Sequence, residues 1–283
     1  MLRIAIQSKG RLYEESMALL EEAGIKIPGG KRTLLVPARN FPVEGLFLRD
    51  DDIPESVASG VADVGIVGLN EVMEKRCPVG ILKKLGFGKC RLSLAIPQNI
   101  DYQDRNWFSG KKIATSYPGI LSDYLHKNGI VSDIHVITGS VEIAPGIRLA
   151  DAIFDIVSSG STLVSNRLKE VETVVESEAV LIGTDSISPE KRGILDELLF
   201  RFDSVQAADD KKYILMNVPQ KKLNDVLSVL PGIKSPTVMP LADKEWCSVH
   251  TVLDEKCFWE IINRLKTAGA EGILVLDIEK MIL

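Results

Sequence analysis

The 283-residue chain carries 34 Lys and Arg against 39 Asp and Glu, a formal net charge of −5, with 45% hydrophobic and 26% charged residues. That balance excludes a disordered chain, because the apolar content offsets ordering entropy, and it argues against a general nucleic-acid binder, which carries a basic excess. No apolar run nears the ~18 residues of a membrane span, and the N-terminus is charged too soon for a signal peptide, so the expected location is the cytoplasm, without nucleic-acid or membrane partners.

At roughly 100–200 residues per domain, the length predicts two or three domains. Residues 2–6 read as a buried strand that leads through the polar turn Gln7-Ser8-Lys9-Gly10-Arg11 into a helix. Leu12, Ala18, Leu19 and Ala23 recur there at helical spacing, and Gly24 supplies the stop. Strand, glycine turn and helix form the repeating unit of an α/β sheet. A second strand is expected over 33–37. Ile53-Pro54-Glu55 opens a helix with proline in its first turn. A strand over 62–67 is left by the turn Gly68-Leu69-Asn70. Strands over 91–96 and 112–115 follow, then the turn Ser116-Tyr117-Pro118-Gly119 and a helix over 121–127 closed by Asn128-Gly129. Two α/β lobes result, the second starting near residue 91, exchanging chain more than once across a groove.

The last seventy or so residues change character. A strand over 213–218 precedes a helix over 223–230, entered by Pro219 and left by Pro231-Gly232. Strands over 238–241 and 248–253 lead to an amphipathic helix over 256–267, with Phe258, Ile261, Ile262 and Leu265 apolar and Gly269 as its stop. A strand over 272–276 ends the series. The order is βαββαβ, the ferredoxin-like split unit.

The chemistry concentrates in 142–163, EIAPGIRLADAIFDIVSSGSTL. Asp151 and Asp155 lie four apart among Leu149, Ile153, Ile156 and Val157, ahead of Ser158-Ser159-Gly160-Ser161-Thr162. Such a turn offers backbone N–H groups and hydroxyls to a phosphate, and Gly160 lets the backbone approach closely. A helix opened by Thr162 would add its N-terminal N–H groups. The acids upstream suit ribose hydroxyls or Mg²⁺, which prefer oxygen ligands. Taken alone, the stretch reads rather as a serine-rich surface turn beside a solvated helix face. Cys77, Cys90, Cys247 and Cys257 form no CxxC pair and read as reduced, mostly buried thiols. His126, His135 and His250 carry no expected chemistry.

The stretch closely resembles the phosphoribosyl-diphosphate loop of the ATP phosphoribosyltransferases, and other segments follow in order. These are Lys9-Gly10-Arg11-Leu12, the run from Leu48-Arg49-Asp50-Asp51-Asp52-Ile53-Pro54 to GVADVGIVGLN over 60–70, Cys90-Arg91-Leu92-Ser93-Leu94, and Ile113-Ala114-Thr115-Ser116-Tyr117-Pro118. Ser235-Pro236-Thr237 and Gly269-Ala270-Glu271-Gly272-Ile273-Leu274-Val275 resemble the long form of the family. One departure is Arg148, where the family more often has glycine.

The resemblance implies a two-lobed, periplasmic-binding-protein-like catalytic core plus a C-terminal ferredoxin-like βαββαβ regulatory domain. The first lobe covers 1–90, completed by about 180–210. The second covers 91–180, and the regulatory domain 211–283. It further implies transfer of the phosphoribosyl group of 5-phosphoribosyl 1-diphosphate to N1 of the ATP adenine, with release of diphosphate. This is the first step of histidine biosynthesis, with Mg²⁺ held mainly through substrate phosphates. Asp155, Lys9 and Arg11 are the implied catalytic residues. Glu142, Asp151, Asp155, Ser158, Ser159, Gly160, Ser161 and Thr162 are implied for phosphoribosyl diphosphate. Lys9, Arg11, Arg49, Asp63, Gly65, Gly68 and Tyr117 are implied for ATP.

Each has a plainer alternative. Lys9 and Arg11 also read as a solvated turn, and Arg49 as a partner of Asp50, Asp51 and Asp52. Asp151 also reads as a helix-surface residue, and Tyr117 as a partly buried structural tyrosine. For the last domain the resemblance implies feedback inhibition by histidine at Asn217, Thr237, Val252 and Gly272, with Asn217 replacing a family aspartate. It also implies a homo-oligomer, dimeric or hexameric. A purely structural oligomerisation domain is the alternative there. A solute-binding protein without turnover and a phosphoribosyltransferase for another base are the rival readings of the whole chain.

Overall fold

The computed structural model describes residues 1–28, 33–231 and 236–283, so Gly232 and Ser235 of the expected motifs lie outside the described residues. The chain divides into two compact units, 1–199 and 200–283.

In the first unit, β1 (Leu2–Gln7) leads into α1 (Arg11–Glu22). Leu2, Ile4, Ala5 and Ile6 are all fully buried, as expected of a parallel strand covered on both faces. β2 (Leu35–Pro37), β3 (Val43–Leu48), α2 (Ile53–Ala58), β4 (Val64–Gly68), α3 (Leu69–Lys75) and β5 (Gly80–Lys84) follow. The chain then enters a second sheet through β6 (Cys90–Pro97), β7 (Lys112–Thr115), α4 (Pro118–Lys127), β8 (Asp133–Val136), β9 (Ala152–Val157), α5 (Ser161–Ser165) and β10 (Leu168–Ser177). It returns through β11 (Ala179–Gly183) and leaves along α6 (Pro189–Ala208). Among the described residues the first sheet runs β2-β3-β1-β4-β11-β5 and the second β10-β6-β9-β7-β8. The chain therefore passes between lobes after β5 and again between β10 and β11.

Several expectations shift here. The strand placed over 33–37 is only β2, and the strand over 62–67 begins at Val64, after Asp63, whose carboxylate accepts the Arg3 N–H at 2.8 Å. The turn Gly68-Leu69-Asn70 is really the start of α3, with Gly68 extended as its N-cap. Likewise α4 begins at Pro118, inside the expected turn. The 149–157 segment has no helical face: β9 is a strand whose Ala152, Ile153 and Phe154 are fully buried. Gly65 has a packing reason, since a Cβ there would lie 2.6 Å from Ile53 and 3.0 Å from Val57 of α2. Arg148 adopts φ 60°, the left-handed region in which glycine is favoured.

The second unit contains β12 (Lys211–Pro219), α7 (Leu223–Val229), β13 (Thr237–Pro240), β14 (Trp246–Asp254), α8 (Glu255–Ala268) and β15 (Glu271–Asp277). Its antiparallel order β13-β14-β12-β15 is that of the split βαββαβ unit. A short 3₁₀ turn, Gln220–Lys222, separates Pro219 from α7. Ile214, Met216, Val218, Cys247, Val249 and Leu253 pack with Phe258, Ile261 and Leu265, so helices cover one sheet face. Gly269 ends α8 at φ 108°.

Candidate functional site

A cavity of about 280 Å³ opens in the first unit. The ends of β1 and β4 supply Gln7 and Gly68, and Arg11, Leu12, Glu15, Asp50, Asn70 and Glu71 line the same side. Gly88 and Lys89 come from the crossing segment, and Cys90, Ile156 and Ser158 from the second sheet. Open α/β sheets bind ligands at such strand ends.

The 158–162 loop hangs between two buried anchors, Val157 and Leu163, which pack with Ile153, Val141 and Leu168. Between them Ser158, Ser159, Ser161 and Thr162 are exposed. Gly160 turns the chain at φ 79° and caps α5, which starts at Ser161. The Ser159 and Ser161 hydroxyls lie 3.0 Å apart. Hydroxyls and helix-start N–H groups thus face solvent together, a geometry that suits a phosphate.

Asp155 lies just ahead of this loop on β9. Burial pushes its carboxyl up from 3.8 to about 6, the Ile156 N–H at 2.8 Å acts the other way, and the Glu142 charge adds to the rise. Glu142 sits in the 3₁₀ turn Val141–Ile143. Asp151 is not brought to the loop. It precedes the opposite end of β9, where it accepts the Lys112 N–H at 2.9 Å, so its task there is to tie the β7 and β9 ends together.

The cavity floor joins the lobes. Tyr117 Oη donates to Glu71 Oε1 at 2.8 Å, and Asn70 Nδ2 donates to the same carboxylate at 3.1 Å and to Tyr117 Oη at 3.2 Å. Ser177 Oγ donates to Asn70 Oδ1 at 2.8 Å. Burial raises the pKa of Glu71, and burial with the Glu71 charge raises that of Tyr117. Tyr117 is 8% exposed, and its hydroxyl is bonded within the fold. Alongside, Glu74 accepts the N–H groups of Gly119 and Ile120 at 2.8 and 2.9 Å, capping α4 from the other lobe.

Of the remaining expected residues, Arg11 lines the cavity and pairs with Glu15 at 3.0 Å. Lys9 stands in the exposed turn before it. Arg49 is exposed and lies 3.4 Å from Asp51, while its neighbour Asp50 lines the cavity. Gly68 reaches the cavity, but Asp63 does not: it lies before β4, paired with Lys191 at 2.9 Å. Gly65 is inside the strand, under α2. Sequence reasoning passed over Gln7, Asn70, Glu71 and Lys89 as site residues. For Asn70 and Glu71 the available signal was a buried-strand exit, GIVGL over 65–69, followed at once by that polar pair.

In the second unit, the sheet face away from the helices carries Tyr213, Leu215 and Asn217 of β12 opposite Val252, His250 and Ser248 of β14. Thr237 pairs with His250. Gly272 has φ 55°, and a Cβ there would lie 3.4 Å from Asn217 Nδ2. Asn217, Thr237 and Val252 therefore share one face, with Gly272 beside Asn217. His250, given no role from sequence, stands among them, bonded to Tyr213 Oη at 2.7 Å and Ser248 Oγ at 3.0 Å.

The sequence model of ATP phosphoribosyltransferase matches residues 49–204, more than half the chain, and that of the HisG C-terminal domain matches 208–280. A curated ATP phosphoribosyltransferase of Bacteroides fragilis is 70% identical over 283 residues, covering all of both chains. That of Cytophaga hutchinsonii is 57% identical over 99% of this chain and 98% of its own. A chain of the ATP phosphoribosyl transferase (HisG:HisZ) complex from Thermotoga maritima superposes with TM-score 0.62 at 27% identity, over 71% of this chain and 96% of that one. The sequence match spans the whole length, and the chain belongs to the ATP phosphoribosyltransferase family of glycosyltransferases.

Proposed function

We propose that this chain joins ATP to 5-phosphoribosyl 1-diphosphate in the groove of its first unit, as the opening step of histidine biosynthesis. The adenine N1 lone pair forms a bond to the ribose anomeric carbon as the bond to diphosphate oxygen breaks, giving phosphoribosyl-ATP and diphosphate. The observation that carries the reading is Asp155, a recessed carboxylate at the foot of an exposed hydroxyl-rich loop. In this reading 158–162 holds the 5-phosphate, and Asp155, with Glu142 behind it, accepts hydrogen bonds from ribose hydroxyls. Arg11 and Lys9 offset charge on ATP or the departing diphosphate. The chain needs no nucleophile of its own. Its contributions are alignment of two bound substrates and stabilisation of leaving charge.

The donor set fits Mg²⁺. Asp155 and Glu142 offer hard oxygen ligands near the loop. Among the described residues no three His, Cys, Asp or Glu side chains gather as a metal cluster. Mg²⁺ is commonly held by one or two carboxylates plus substrate phosphates, and when bound it neutralises phosphate charge.

In the second unit, Asn217, Thr237, Val252 and Gly272 would receive histidine as inhibitor, on a face where Met239, Leu274 and Leu276 are also exposed. Homo-oligomers, dimer and hexamer, complete the proposal. Sedimentation with and without histidine tests them.

The central test is an assay of ATP, phosphoribosyl diphosphate and Mg²⁺, read by absorbance of the N1-substituted adenine. Turnover, reduced by histidine in wild type and restored in Thr237→Ala, is expected. No turnover by folded protein would leave a binding protein instead. Full histidine sensitivity in Thr237→Ala and in an Asn217 variant would remove the effector assignment.

A further inference from the structure

We propose that Arg91 is a positioning residue for the phosphoribosyl substrate: clamped by Glu170, it holds the Ser158 carbonyl and so aims the Ser159 backbone N–H of the 158–162 loop. The inference rests on the reading of that loop as the phosphate site.

Arg91 lies on β6, beside Val157 in the β9 register, one residue before the loop. Its Nε and Nη2 donate to the two oxygens of Glu170, both at 2.5 Å. Ser93 Oγ and Thr173 Oγ1 donate to Glu170 as well, at 2.7 and 3.2 Å. This is the planar, two-bonded pairing that gives arginine geometric specificity. Arg91 Nη1 donates to the Ser158 carbonyl at 3.2 Å. Ser93 is directly opposite Asp155, so the clamp and the recessed carboxylate share one face of the second sheet.

An exposed ion pair contributes little by itself. The informative contact is the third one. A trans peptide is a rigid plane whose C=O and N–H point in opposite directions. Holding the Ser158 carbonyl toward β6 therefore turns the Ser159 N–H away from β6. Arg91 thus acts through the loop backbone, and Glu170 through Arg91.

Steady-state kinetics of full-length Arg91→Lys and Glu170→Gln test this, with Thr162→Ala as the loop control. Lysine keeps the charge but cannot bridge Glu170 and Ser158 as a fork. We expect KM for phosphoribosyl diphosphate to rise about 10-fold or more in Arg91→Lys and about 5-fold in Glu170→Gln, with KM for ATP within about 2-fold. Melting temperatures report folding, and if Arg91→Lys fails to fold, Glu170→Gln carries the test. Equal changes in both KM values, tracking lost thermal stability, would overturn the proposal as a merely structural pair. Unchanged constants in both variants while Thr162→Ala raises KM would overturn it and leave the loop reading intact. Unchanged constants in all three would remove the loop reading and the inference together.

Discussion

At one end of β9, Asp151 is exposed and accepts the Lys112 amide. Near the other, Asp155 is recessed, with its carboxyl pushed up to about 6 and an exposed loop beyond it. At about 3.3 Å per strand residue, the two stand about 13 Å apart on the same sheet. One carboxylate ties two strand ends together. The other accepts only a local N–H, that of its neighbour Ile156, and is held where burial disfavours its charge, an arrangement common at functional sites. The pair shows that spacing of acids says little about shared chemistry until the backbone type between them is known.

The sharpest test of that contrast is Asp155→Asn. We expect kcat/KM for phosphoribosyl diphosphate to fall about 10²-fold or more, a loss of roughly 3 kcal/mol, in a protein that stays folded. Asp151→Asn should leave kcat/KM within about 2-fold, and a large loss there would break the comparison. Thr162→Ala should raise KM for phosphoribosyl diphosphate about 10-fold.

The pH dependence follows from Asp155. Its folded value, about 6, is above the ordinary 3.8, so the folded state keeps this proton over a window in which the unfolded chain loses it. The stabilisation is full below about 3.8 and is lost as pH rises through about 6. Denaturant titrations should therefore find Asp155→Asn more stable than wild type at pH 7–8, by about 1–3 kcal/mol, and the gain should vanish near pH 4. Affinity for phosphoribosyl diphosphate should weaken below about pH 6 in wild type, when the ribose acceptor is protonated. That inflection should be absent in Asp155→Asn. Glu170 has the opposite sign: the Arg91 bonds hold it down to about 2, so its stabilisation persists at neutral pH and is lost only as pH falls toward that value. The smallest effect is expected at Arg148. Its φ of 60° is unfavourable for any residue with a Cβ. Arg148→Gly should raise stability by about 1 kcal/mol and leave activity unchanged, as measured by thermal melting and the same assay.

Much of the architecture was legible because local patterns and packing agree. The 2–6 and 112–115 strands, the glycine stops at Gly24 and Gly269, and the βαββαβ order all rest on periodicity and turn chemistry that tertiary structure does not override. β3 was missed because Gly45 interrupts its apolar pattern. That glycine is filled from outside, since a Cβ there would lie 3.3–3.5 Å from Phe47 and Ile27. α3 was missed because Gly68 reads as the start of a turn over 68–70, whereas its backbone is extended and the helix starts on the next residue. At the site, the loop is visible in sequence because its shape is local. The Glu71–Tyr117 contact is not, since it joins residues 46 positions apart, and neither is the Arg91–Glu170 clamp, which spans 79. Asp63 precedes β4, whereas the cavity lies at the far end of that strand, and Asp151 reads with a helical face because the strand character of 152–157 is hidden in its mixed apolar spacing.

The Glu74 cap on α4 has a kinetic consequence. The amides of Gly119 and Ile120 belong to one lobe and their acceptor to the other. Those two protons exchange with solvent when this contact opens, by parting of the lobes, by rotation of the Glu74 side chain or by fraying of α4. Their deuterium uptake, compared with that of the next turn of α4, therefore reports how often this contact across the groove opens, a clock built into the backbone that runs without any substrate.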